Sequence, residues 1–120
     1  GMQDQFHTFN MFDCQAWYAR DVIMNKIKVP NDKEIESDIN KWVAMEEKLE
    51  NPDQMIDFQT EYTKELHKMS DYPEIDFELI RKHFKEWEHH KVEDIMTYRN
   101  KSFSSPVTGS IPPLPIVKLK

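Results

Sequence analysis

Glycine is almost missing from this chain of 120 residues: Gly1 and Gly109 are the only two. Backbone conformations at φ > 0 are therefore scarce, which argues against tight hairpins and phosphate-cradling loops. Neither G-x-G-x-x-G nor G-x-x-x-x-G-K-[ST] occurs, so the chain carries no nucleotide-binding fingerprint of its own. Cysteine is reduced to Cys14, so no disulfide can staple the fold. No apolar run approaches the ~20 residues that span a bilayer. No charged leader followed by an apolar stretch marks a signal peptide, and the expected compartment is cytoplasmic. Basic residues are the minority, 16 against 22 acidic, for a formal charge of -6. Such a surface disfavours nucleic acid and anionic membranes as partners.

What is present reads as helix. Three Trp, seven Phe and four Tyr argue against disorder through most of the chain. Yet the mean hydropathy is only -0.78, as in a segment whose burial is completed by a larger protein. A first helix is expected over residues 10–26, where Met11, Phe12, Cys14, Ala16, Trp17, Ala19, Val22 and Ile23 are apolar around most of the circumference. Such a helix is buried on more than one side. Asn31 with Glu34 reads as a capping box ahead of a stripe of Ile35, Ile39, Trp42, Val43, Met45 and Leu49. Asn51-Pro52 places a cap and a first-turn proline before a third helix. Asp76 caps a fourth, whose stripe is Phe77, Ile80, Phe84 and Trp87, with a bend or interruption near His90 before Ile95 and Tyr98. The expected fold is all-α: four helical segments within residues 2–100, then an extended tail, rich in Ser and Pro, over 101–120.

Few residues carry chemistry on their own. Cys14 lies on a buried-looking face and reads as a structural thiol. Glu86-x-x-His89 has the spacing of half a di-iron carboxylate site, but its second half is missing, so a solvated polar face is the better reading and no metal is expected. Trp87 sits beside Glu86, Glu88 and His89. Like Trp17 and Trp42 it reads first as core, but its indole face is also able to take a protonated or quaternary amine by cation–π attraction. Gln3, Asp4, Gln5 and Thr8 precede the first helix, where they form a polar lead-in. Alternatively they flank a helix N-terminus whose free N–H groups suit an electron-rich ring edge.

Three strings shift this balance. Met2 to Met24, read as MQDQFHTFNMFDCQAWYARDVIM, resembles the stretch after the second nucleotide-binding region of bacterial flavin-containing monooxygenases. Met69-Ser70-Asp71-Tyr72-Pro73 is similar to a later stretch, and so is Trp87-Glu88-His89-His90-Lys91 running on to Asp94-Ile95-Met96-Thr97-Tyr98-Arg99. The resemblance covers about residues 2–110 and is closest to the branch that oxygenates trimethylamine. It implies that 2–100 is a helical C-terminal segment of an enzyme that uses FAD, NADPH and O2 to convert small amines to N-oxides. It further implies that Gln5 and Thr8 contact FAD, with Gln3 a weaker candidate, and that Arg99 lies near NADP. Phe6 matches an aromatic position near the substrate, usually Trp, and Trp87 matches a second. No catalytic residue falls within the chain. The two dinucleotide folds are missing, and the tail from Pro112 departs from the family. The chain alone is therefore expected to bind no cofactor and to be inactive. A stand-alone helical interaction module derived from the same segment remains the alternative. Either way an apolar face is left open, and a homo-oligomer is expected.

Overall fold

The computed structural model describes residues 6–111. Among them are four α-helices and one 3-10 turn, with no strand. The chain divides into two compact units, Gly1–Pro73 and Glu74–Lys120.

The first unit holds α1 (Thr8–Ile23), α2 (Asp32–Glu46) and α3 (Pro52–Lys68). α1 begins and ends earlier than its apolar run suggests. Its end is set by Asn25, which adopts φ 55. The amide of Asn25 donates to Val22 O at 3.0 Å and that of Lys26 to Asp21 O at 2.8 Å. This pair of bonds is a Schellman closure, and Asn tolerates the left-handed position it requires. α2 starts where the capping box places it. Asn31 Oδ1 accepts from Lys33 N and Glu34 N at 3.1 Å each, and Glu34 returns the bond by accepting from Asn31 N at 2.8 Å. Replacing Asn31 by Ala is expected to cost about 1 kcal/mol of α2 stability, measurable as lost helicity at 222 nm near the melting midpoint. α3 opens on Asn51, which accepts from Gln54 N at 3.0 Å ahead of Pro52.

α1 lies against α3. Met11, Cys14 and Ile56 are fully buried, with Phe58 and Leu66 nearly so. The rest of this core is polar: His7, Asp21, Gln59, Thr60 and Thr63 are all buried. The two threonines are accommodated because each hydroxyl donates to its own helix, Thr60 to Ile56 O at 2.7 Å and Thr63 to Gln59 O at 2.8 Å. α2 contributes no fully buried residue. It is held through Trp42, whose ring meets Phe58 and Tyr62 edge-on with centroids 5.3 Å away in each case, and through Lys41, which donates to Glu65 at 2.9 Å. Its stripe residues Ile35, Ile39, Val43 and Met45 stay exposed. A groove of about 620 Å³ runs beside them, walled by Tyr18, Trp42, Tyr62, Leu66 and Met69 among others.

The second unit is α4 (Phe77–Glu93), the 3-10 turn Tyr98–Asn100 and the segment beyond it. Asp76 caps α4, accepting from Leu79 N at 2.9 Å. The interruption expected near His90 falls at Asp94, whose carboxylate accepts from Met96 N at 3.0 Å and Thr97 N at 3.2 Å and so starts the 3-10 turn. Residues 101–111 are without helix but not without order. Ser105 Oγ accepts from Val107 N and Thr108 N at 3.2 Å each, and Gly109, at φ +69, donates to Ser105 O at 2.9 Å. The tail from Pro112 lies outside the described residues.

Candidate functional site

The start of α1 carries Phe6, His7 and Thr8 together. Phe6 and Thr8 are half-buried and His7 is sealed in. His7 precedes the first turn of α1, and its Nε2 lies 3.0 Å from Thr60 Oγ1. The hydroxyl hydrogen of Thr60 is already given to Ile56 O, so the imidazole must donate from Nε2. Burial pushes the His7 pKa down to about 4, which keeps the ring neutral near pH 7. Sequence reasoning passed over His7, because a polar side chain next to a helix start reads as solvated, and over Thr60, because a threonine inside α3 carries no signal of burial. Gln5 and Gln3 lie outside the described residues.

The loop between α3 and the second unit is tied to α1 by Asp71. Its Oδ1 accepts from Trp17 Nε1 at 2.5 Å and from Arg20, and its Oδ2 from Lys26 at 3.1 Å. These donors hold the carboxyl well below the usual carboxylate range, the Trp17 bond foremost. Tyr72 stands edge-on to Trp17, with centroids 5.2 Å away, and donates its hydroxyl to Asp13 at 2.6 Å. Burial first, and then the bond to Asp13 and its charge, pushes the Tyr72 phenol up. Two stretches that are far apart in the chain thus meet, Asp13, Trp17 and Arg20 of α1 against Asp71 and Tyr72. Cys14 sits beneath them, fully buried. Burial, then the nearby Asp13 charge, pushes its thiol up to about 11, which suits an inert structural cysteine.

In the second unit, Trp87 and Arg99 meet at Tyr98. The indole of Trp87 packs edge-on against the Tyr98 ring at 5.3 Å, and the Arg99 guanidinium lies over that ring at 4.5 Å. Trp87 is half-buried, and Lys91 Nζ stands 4.9 Å from the centre of its ring. Lys91 is held there by Glu88, at 2.5 Å. One face of the indole therefore already carries an ammonium group. The histidines nearby are engaged elsewhere. His83 lies 3.3 Å from Glu86 and 3.1 Å from Ser104, His89 lies 3.2 Å from Glu93, and His90 is stacked on Phe103. Among the described residues no three His, Cys, Asp or Glu side chains are grouped to hold a metal. Among the same residues no helix is long and apolar enough to cross a membrane.

No family model matches the chain. Individual relatives do. The chain is 87% identical over 114 residues to a trimethylamine monooxygenase of Pelagibacter sp. (strain HTCC7211), covering 95% of this chain and 26% of that protein. The chain is homologous to a segment of trimethylamine monooxygenases. A trimethylamine monooxygenase of Pelagibacter ubique (strain HTCC1002) is 86% identical over 114 residues, again over 95% of this chain and 26% of its own length. One from Methylocella silvestris is 53% identical over 113 residues, covering 94% of this chain and 25% of that protein. The crystal structure of Tmm from Pelagibacter sp. strain HTCC7211 superposes with a TM-score of 0.90 at 88% identity, over 94% of this chain and 26% of that one. The chain thus spans about a quarter of the length of the trimethylamine monooxygenases it matches. The helical fold expected for that segment is the fold observed.

A dinucleotide cofactor does not fit this quarter by itself. The pyrophosphate of such a cofactor needs a glycine turn between a strand and a helix. Among the described residues there is no strand, and Gly109 is the one glycine, in a turn held by Ser105.

Proposed function

We propose that this chain is the helical quarter of a cytoplasmic, FAD- and NADPH-dependent enzyme that oxygenates trimethylamine or a related small amine. In that role it is inactive alone. The observation that carries the reading is the 87% identity over 114 residues to a trimethylamine monooxygenase. Flavin and NADPH supply the oxygenating chemistry when bound to the remainder. The residues here serve as walls: Gln5 and Thr8 toward the flavin, Arg99 toward NADP, and Phe6 and Trp87 toward the amine. A guanidinium suits a phosphate because its planar donors match phosphate oxygens. Trp87 supports the amine assignment physically, since its indole already attracts one ammonium, that of Lys91.

The test uses a full-length trimethylamine monooxygenase carrying this segment. Cation–π contact is worth about 0.5–2 kcal/mol. Trp87→Leu is therefore expected to raise the amine KM roughly threefold to thirtyfold, at ~1.4 kcal/mol per tenfold, with flavin content unchanged. The competing role for Trp87 is as packing for Tyr98. It predicts the opposite pattern: an unchanged KM and a fall in melting temperature, larger for Trp87→Ala. That outcome removes Trp87 from the amine pocket.

A further inference from the structure

The start of α1 is held differently from the starts of α2, α3 and α4. Asn31, Asn51 and Asp76 each turn a side chain back onto the free amides of the helix they open. His7 occupies the same position ahead of α1, and its side chain makes no such cap bond. Its carbonyl accepts the first helical bond, from Met11 N at 2.8 Å. Its imidazole turns the other way, into the core, where the residue is 1% exposed. There Nε2 meets Thr60 Oγ1 of α3 at 3.0 Å. A local cap leaves a helix start free to move with its own helix, whereas this one is fastened to a neighbour. The acceptor is itself held, because Thr60 has given its hydrogen to Ile56 O at 2.7 Å. A hydrogen bond is directional, and apolar burial is not. An apolar side chain in place of His7 would fill the same volume without fixing the angle at which the chain enters α1.

We propose that His7 is a positioning residue for the amine site: its bond to Thr60 sets where Phe6 stands. This role rests on the enzymatic reading, which places Phe6 at the amine. Phe6 immediately precedes His7 in the chain, and Thr8 immediately follows it as the first residue of α1. Consecutive Cα atoms are about 3.8 Å apart, so a locked His7 leaves each neighbour little room to wander. The accuracy matters because a displacement of about 1 Å at a reacting site is able to cost on the order of a hundredfold in rate. The tie is also uncharged. Burial pushes the His7 pKa down to about 4, so near pH 7 the bond joins two neutral groups and needs no counter-charge.

The experiment uses a full-length trimethylamine monooxygenase carrying this segment. Thr60→Val keeps the volume and removes the acceptor, and His7→Leu removes the donor. Each should lower kcat/KM for the amine at least about tenfold, while the NADPH KM, read here at Arg99 in the second unit, stays unchanged. His7→Gln, whose amide still donates, should recover most of the loss. A second readout needs no turnover. In the chain itself, the ring-nitrogen spectrum of His7 should show a neutral imidazole with its proton on Nε2, and Thr60→Val should shift that signal. A merely structural tie would lower the melting temperature of these variants and leave the amine kcat/KM of the folded enzyme alone, and that outcome overturns the proposal. So does a ring carrying its proton on Nδ1, or a His7→Gln enzyme as impaired as His7→Leu. Thr60→Val leaves His7 in place and keeps the proposal exposed to refutation if His7→Leu fails to fold. Phe6→Ala separates this role from the reading beneath it. If Phe6→Ala lowers the amine kcat/KM while His7→Leu and Thr60→Val do not, Phe6 stays at the amine and the positioning role alone falls. If Phe6→Ala changes nothing, the assignment of Phe6 to the amine has failed and the positioning role falls with it.

Discussion

Acidification from pH 6.5 to pH 4 is expected to remove about 3 kcal/mol of stability from the first unit, through His7 alone. Burial lowers the His7 pKa to about 4, whereas in the unfolded chain it returns to about 6.5. Between those values the unfolded state binds the proton and the folded state does not. The contribution is complete above pH 6.5, declines as pH falls, and is lost once pH passes the folded value. Some 2.5 units at ~1.36 kcal/mol each give the magnitude. The Asp71 carboxyl, held below the usual range, acts in the same direction. Its window lies lower, below the ordinary carboxylate pKa of about 3.9, so the two are separable. Urea titrations at half-unit intervals, in the chain and in a His7→Gln variant, check this. If the variant keeps the full slope between pH 6.5 and 4, His7 is not its source.

Ile56→Ala is expected to cost about 2–5 kcal/mol, a large share of the roughly 5–15 kcal/mol by which small domains are stable. Ile56 is fully buried between α1 and α3, one turn from Thr60 and beside the buried Phe58. Shrinking it removes contacts on both helices and leaves a void in a core with few apolar members. Thermal melting followed by near-ultraviolet circular dichroism reads the loss directly. A Val in the same place should cost only about 0.5–1.5 kcal/mol. Equal effects of the two substitutions would mean that the site collapses freely and that Ile56 is not closely packed.

The sequence announces its helix starts more clearly than its helix ends and its core. Asn31, Asn51 and Asp76 each cap where the pattern places them, because a short polar side chain ahead of an apolar rhythm has one economical use there. The end of α1 is less visible. Asn25 does what glycine usually does, and asparagine carries a weaker signal for the left-handed position. The buried face of α1 has no phase to read, since both sides of the helix are apolar. Periodicity therefore implies burial all round, where the structure buries one side. The polar seam is hidden for another reason. Thr60 and Thr63 return their hydroxyl hydrogens to their own helix and pack like small apolar residues. Of the candidate site, Trp87 and Arg99 are singled out only by resemblance, and their meeting at Tyr98 depends on a 3-10 turn that no periodic pattern describes. Two distant strings that carry the resemblance are joined through Asp71 and Tyr72, a contact that single-chain spacing does not reveal.

The loose attachment of α2 has a consequence for how the first unit comes apart. A helix with no fully buried residue, fastened at Trp42 and Lys41, can lift away without disturbing Met11, Cys14 or Ile56. Its amides then exchange with solvent through a local opening that is low in free energy, while those of α3 wait for global unfolding. The unit is therefore expected to open in two steps rather than one, which hydrogen exchange resolved by helix would show. The connections on either side of α2, residues 26–31 and 47–51, are where a protease gains entry before the α1–α3 pair yields.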